Sequence, residues 1–179
     1  MKKEIRLSGS GGQGLILAGI ILAEGAILSD LNAVQTQSYG PEARGGASKA
    51  EVIISNEEIN FPKARESDIL LSLTQKSFDK YSDDIKENSI VIIDSTVSEK
   101  NIDLKNSKLI KVPIIESSKE KLGKSMVANI VALGVISELI AEVDSEKLKK
   151  AILDRVPKGT EELNNKAFEL GKNLINNNL

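Results

Sequence analysis

A glycine-rich stretch, Leu7-Ser8-Gly9-Ser10-Gly11-Gly12-Gln13-Gly14, separates a short apolar run from a long apolar segment. An α/β protein places the turn between its first strand and first helix in such a setting, and often binds a phosphate group there. Gly9, Gly11 and Gly14 stand at the G-x-G-x-x-G spacing. The first glycine permits a tight turn, the second lets a ligand approach the backbone, and the third lets helix pack on strand. Exposed N–H groups at the start of the next helix, together with its dipole, favour an anion. Gly9, Gly11, Gly12, Gln13 and Gly14 are therefore a candidate phosphate or partner loop. Glycine also serves strand-to-helix turns that bind nothing, so the spacing alone leaves both readings open.

The rest of the chain supports the same architecture. Lys3 to Leu7 reads as a strand, Gly14 to Ser29 as a helix apolar on nearly every side, and Asn32 to Gln37 as a second strand. Strand, helix and strand in this order imply a crossover and a parallel sheet. Gly19 and Gly25 within the helix mark close backbone contacts, since each is unfavourable by about 1 kcal/mol relative to alanine. Ser38 to Gly46, with its proline and glycines, is a shaped loop. Ala50 to Ser55 is a strand, joined through Asn56-Glu57-Glu58 to Ile59 to Phe61 as a small antiparallel excursion. Asp68 to Leu73, Ser89 to Asp94 and Lys108 to Ile114 have the continuous aliphatic character of strands covered on both faces. Gln75 to Glu87, Lys119 to Leu122, Ser125 to Ala141, Ser145 to Val156 and Thr160 to Ile175 are expected helices. With no repeat or linker, the expectation is one α/β domain over residues 1–179, Rossmann-like and doubly wound, its sheet mostly parallel.

Absences exclude much chemistry. The 179 residues contain neither cysteine nor histidine. A thiol nucleophile, a thiolate-held zinc or iron–sulfur cluster and a Ser-His-Asp triad are excluded within this chain, leaving Lys, Tyr, Asp or Glu for any catalysis of its own. A net charge of −2 and an aromatic content of 3% give no footing for nucleic acid or an anionic membrane. Glu4 and Arg6 interrupt the lysine-led start before a signal-peptide core can form, and Gly19, Glu24 and Gly25 break the apolar stretch after Gly14. A cytoplasmic location is the expectation.

A dinucleotide site adds an acidic residue about 20 positions beyond the glycines, at the end of the second strand. That strand ends Val34-Gln35-Thr36-Gln37, without a carboxylate, and no Lys-Ser or Lys-Thr pair follows the glycines as in a P-loop. Loops at the carboxyl ends of neighbouring strands converge, so the glycine loop and Tyr39 to Gly46 are expected to face one crevice containing Gln13, Tyr39, Glu42 and Arg44. Arg44 beside Gly45 and Gly46 suits a carboxylate or phosphate, because a guanidinium offers two parallel hydrogen bonds and the glycines allow close approach. A short-range pair between Arg44 and Glu42 that only fastens the loop is the alternative. Asn129, in the apolar run Met126 to Leu133, needs a partner if buried, and a bond within the chain, across to the sheet, is favoured over one to a neighbouring subunit because most side-chain bonds go to nearby backbone.

Gly9 to Gly14, the fifteen residues Val34 to Ser48 and then Glu51 to Ser55 together resemble the gamma subunit of 2-oxoacid:ferredoxin oxidoreductases, most of all the 2-oxoglutarate type. Glu162-Leu163-Asn164 and Ala167 to Gly171 extend the likeness to the last helix. The resemblance implies a subunit of an enzyme that converts 2-oxoglutarate, coenzyme A and oxidised ferredoxin into succinyl-CoA, carbon dioxide and reduced ferredoxin, or the reverse. It implies alpha and beta partners holding thiamine diphosphate with Mg, iron–sulfur clusters in the beta chain or a ferredoxin-like delta subunit, and ferredoxin itself as electron carrier. No cofactor is assigned to this chain, and no catalytic residue or metal ligand. Tyr39, Glu42, Arg44, Gly45 and Gly46 are candidates for a coenzyme A or subunit contact. A stand-alone nucleotide-binding oxidoreductase and a regulatory module binding a phosphorylated metabolite are the competing functions.

Overall fold

The computed structural model describes residues 1–38, 46–99 and 103–178. Strands β1 (Lys2–Ser10), β4 (Ser67–Ser72), β5 (Ile85–Asp94) and β6 (Lys108–Val112) pair in parallel. Strand β3 (Ala47–Ser55) runs antiparallel to β1 on one side and to β2 (Asn32–Gln37) on the other. The six-stranded sheet has the order β2-β3-β1-β4-β5-β6. The crossover expected from β1 through helix α1 (Leu15–Leu28) to β2 is present, but β3 inserts between the two parallel strands. The antiparallel excursion is therefore β3 within the sheet, and Ile59 to Phe61 is not a strand.

Alternation along the strands sorts the residues into two layers. Ile5, Leu7, Val52, Ile54, Ile69, Leu71 and Ile92 pack under α1, α4 (Ala128–Ser137), α5 (Ser145–Arg155) and α6 (Glu161–Asn176). Leu70, Val91 and Ile93 project from the opposite face onto Phe78 and Tyr81 of α2 (Gln75–Tyr81). A period of two places successive side chains on opposite faces, so continuous aliphatic runs mark strands covered on both.

Several boundaries differ from expectation for local reasons. Helix α2 stops at Tyr81 because β5 begins at Ile85, four residues ahead of its expected start. Strand β6 ends at Val112, and Pro113 caps α3 (Ile114–Leu122), which is longer than expected. A 3₁₀ turn over Ser125–Val127 precedes α4. Gly19 and Gly25 mark close contacts as expected: a Cβ on Gly19 would lie 2.9 Å from the Ala50 Cβ, and one on Gly25 would lie 2.7 Å from Leu148 Cδ1.

The doubly wound character is visible in the connections. The chain leaves β1 for the α1 face and leaves β4 for the α2 face, so the winding reverses between these adjacent strands. In open α/β sheets ligands approach the carboxyl ends at such a reversal. Along this seam the Ser8 and Ser72 hydroxyls lie 2.8 Å apart, and Leu73 N–H donates to the Ser8 carbonyl at 2.9 Å.

Candidate functional site

The glycine loop leaves the carboxyl end of β1 beside the point where β3 begins, with Ser10 opposite Ala47 in register. Both ends of the connection from β2 to β3 lie at this end of the sheet, since Gln37 stands opposite Ala50. Of the second expected loop, Tyr39 to Gly46, only Gly46 is described, directly before the Ala47 that stands opposite Ser10. Tyr39, Glu42, Arg44 and Gly45 lie outside the described residues, so the proposed crevice is described from the glycine side alone.

Within the loop, Gln13 has a role that its spacing did not reveal. Its side chain folds back so that Oε1 accepts the Ser10 N–H at 2.7 Å. A Cβ on Gly9 would lie only 2.3 Å from that oxygen, so Gly9 makes room for Gln13 as well as for the turn. Gly12 and Gly14 have φ of +90° and +73°, in the left-handed region that glycine enters without steric penalty. Gly14 also faces Asn129 of α4, whose Nδ2 donates to the Gly14 carbonyl at 3.2 Å. The buried amide therefore takes a backbone partner within the chain, as expected, and pins the start of α1 to α4. A Cβ on Gly14 would fall 2.7 Å from that nitrogen.

The N–H groups of Gly11, Gly12 and Gly14 have no acceptor among the described residues. These three glycines border a depression of about 420 Å³ lined also by Ser10, Ser48 and the apolar side chains of Leu15, Ile16, Leu17 and Ile20. No charged side chain lines it among the described residues. The arrangement can donate hydrogen bonds to a carbonyl or an anion while covering an apolar group, but it contains no acid, base or nucleophile. On the opposite face, Gly46 and Ala47 border a second depression with Lys76, Asp79 and Lys80.

A network missed by sequence reasoning lies beneath β3. Arg6 is 1% exposed, and its Nε and terminal nitrogen reach Glu51 Oε1 at 2.9 and 2.8 Å. Lys49 donates to the same oxygen at 2.7 Å, and Tyr81 O–H donates to the Ala47 carbonyl at 3.0 Å, holding the start of β3. Glu51 Oε1 and these donors are thus committed to one another. Asp94 is likewise buried but committed: its carboxylate accepts from Thr96 and from Ile115 N–H at the start of α3. Among the described residues no group of three or more potential ligands could hold a metal, and no helix is long and apolar enough to cross a membrane.

Comparison with known proteins supplies what this geometry lacks. Residues 4–174 match the pyruvate ferredoxin/flavodoxin oxidoreductase family. A 2-oxoglutarate synthase subunit, KorC, of Methanocaldococcus jannaschii is 54% identical over 96% of this chain and 92% of its own length. The KorC subunit of Methanothermobacter marburgensis is 45% identical over 98% of this chain and 97% of its own. The crystal structure of a keto/oxoacid ferredoxin oxidoreductase gamma subunit from Geobacter sulfurreducens superposes with a TM-score of 0.89 at 46% identity, covering 99% of this chain and 98% of that one. A 2-oxoglutarate:ferredoxin oxidoreductase from Magnetococcus marinus, solved with 2-oxoglutarate, coenzyme A and succinyl-CoA, has a TM-score of 0.88 at 22% identity. This chain spans 32% of that one, and the likeness is one of fold. Because the family match runs from β1 into α6 and full-length relatives share about half the residues, the chain belongs to the pyruvate ferredoxin/flavodoxin oxidoreductase family.

Proposed function

We propose that this chain is the gamma subunit of a multisubunit 2-oxoglutarate:ferredoxin oxidoreductase in the cytoplasm. The observation that carries the reading is the 54% identity to a 2-oxoglutarate synthase subunit across nearly the whole of both chains. The reaction oxidatively decarboxylates 2-oxoglutarate, transfers the succinyl group to the coenzyme A sulfur and passes the electrons to ferredoxin. Thiamine diphosphate with Mg on the alpha and beta subunits supplies the decarboxylation chemistry, and iron–sulfur clusters in the beta chain or a ferredoxin-like delta subunit carry the electrons. A chain without cysteine or histidine is suited to neither task by its own side chains.

Its contribution is to position. The N–H groups of Gly11, Gly12 and Gly14, without an acceptor among the described residues, donate to a phosphate or carbonyl of coenzyme A or to a partner's main chain, and Arg44 supplies the cation that the described lining lacks. Tyr39, Glu42, Gly45 and Gly46 belong to the same contact. Purification of the tagged chain from its native host is expected to bring the alpha and beta chains with it. Turnover of 2-oxoglutarate by this chain alone would overturn the reading. In the reconstituted complex, Arg44→Ala is expected to raise the KM for coenzyme A by about tenfold, the loss of one charge-assisted contact, or to weaken assembly. Wild-type values for both would reduce Arg44 to a fastener of its loop.

A further inference from the structure

The inward row of β3 ends on a hydroxyl. Val52 and Ile54 lie in the core under the α1 layer, Ala50 packs against Gly19, and the alternation that sets these residues on one face of the sheet continues to Ser48. Ser48 lines the glycine-loop depression and is only 7% exposed, yet its Oγ has no hydrogen-bond partner among the described residues. Gly9 stands opposite it on β1 and offers no side chain to bond. Buried hydroxyls ordinarily find partners, as Ser55 does at the other end of β3, where its Oγ donates to the Met1 carbonyl at 3.1 Å and accepts the Glu57 N–H at 3.0 Å. A buried hydroxyl left without a partner lowers stability, so it persists where it serves something else.

The loop beside Ser48 is held in a fixed shape. Gln13 N–H donates to the Ser10 carbonyl at 3.3 Å, and Ser10 N–H donates to Gln13 Oε1 at 2.7 Å, which closes the turn from both sides. The N–H groups of Gly11, Gly12 and Gly14 are thereby set in place ahead of any ligand, and such preorganisation favours binding. Donors at the start of α1 and a hydroxyl on β3 share one depression, and no described residue supplies them with an acceptor. Its volume of about 420 Å³ falls in the range of small-molecule sites, roughly 300–1,000 Å³.

We infer that Ser48 is a ligand-binding residue of this site, its hydroxyl donating together with the glycine N–H groups to an acceptor oxygen of coenzyme A. The inference rests on the reading that the loop meets coenzyme A, and it adds to that contact a residue from a different element. The reconstituted complex and the isolated chain test it side by side. Ser48→Ala is expected to raise the KM for coenzyme A by about tenfold, the loss of one hydrogen bond, with kcat within about twofold of wild type. The isolated variant is expected to melt at or above the wild-type temperature, because the free chain loses no bond. Ser55→Ala is the control, expected to lower the melting temperature and leave the KM unchanged. Two competing fragments locate the acceptor: 3′-phosphoadenosine 5′-phosphate carries phosphates without amides, and S-methylpantetheine carries the amides without phosphates. At least one of them is expected to bind the Ser48→Ala complex about tenfold more weakly than the wild type. A wild-type KM, or wild-type affinity for both fragments, overturns the inference, as does an isolated Ser48→Ala chain that melts several degrees lower. Weaker copurification of the alpha and beta chains at unchanged KM also overturns it while leaving the gamma-subunit reading intact; failure of the wild-type chain to copurify with them overturns both.

Discussion

Gly12 and Gly14 share a backbone conformation but differ in surroundings, and that difference is measurable. Nothing lies within 4 Å of a Cβ built on Gly12, so Gly12→Ala meets only the left-handed backbone penalty, about 1–2 kcal/mol. Gly14→Ala meets the same penalty and also displaces Asn129, raising the expected loss to about 3 kcal/mol in urea unfolding. The motif spacing marked both positions, but neither Gln13 returning to Ser10 nor Asn129 reaching across from α4 could be read from it. Arg6 and Glu51 make the same point more strongly. In the sequence Arg6 is a charge that interrupts an apolar start, whereas in the fold it is buried on a central strand against a residue 45 positions away. Glu51→Ala removes the buried carboxylate that takes two nitrogens of that guanidinium, leaving it the exposed Asp84 carboxylate at 3.5 Å, and is expected to lose about 3 kcal/mol in unfolding free energy.

At the scale of elements, the helix layer depends on two glycines that let α4 and α6 touch backbone to backbone. A Cβ on Gly134 would lie 2.1 Å from the Phe168 carbonyl oxygen, and one on Gly171 would lie 2.0 Å from that of Val131. Backbone cannot yield as a flexible side chain does. Gly134→Ala and Gly171→Ala are therefore each expected to lose about 3 kcal/mol, the upper range for overpacking, measured as a shifted urea midpoint. Helix α3 depends on a different device. Its cap position holds Pro113, so Asp94 from the end of β5 accepts the Ile115 N–H at 2.9 Å instead. Asp94→Ala is expected to lose about 2 kcal/mol and to speed amide hydrogen exchange in the first turn of α3 more than in α6. The existence of these helices follows from sequence periodicity, but their crossing and this long-range cap do not, because each joins residues far apart in the chain.

For the molecule as a whole, the sheet edges and the outer face of α1 show an unequal surface. Strand β6 presents exposed Lys108 and Lys111 at one edge, a common guard against further strand pairing. Strand β2, Asn-Ala-Val-Gln-Thr-Gln, carries no charge at the other, and nearby α1 leaves Leu17, Ile27 and Leu28 exposed. Such a surface suits a subunit whose neighbours are absent. The isolated chain is expected to self-associate with rising concentration in analytical ultracentrifugation, and the complex is expected to suppress it.

The order and type of most elements, the strand-to-helix turn at the glycines and the family resemblance in Val34 to Ser48 were set by the sequence itself. Those features rest on local periodicity, turn chemistry and contiguous motifs, which need only near neighbours along the chain. The insertion of β3 between β2 and β1, the Arg6–Glu51 pair, the Asn129 link to Gly14 and the place of Ser48 beside the glycine loop were decided only by tertiary structure. Each depends on which layers meet and in what register, and that choice is made by the packing of the whole molecule, where contacts between distant residues compete together for the same buried space.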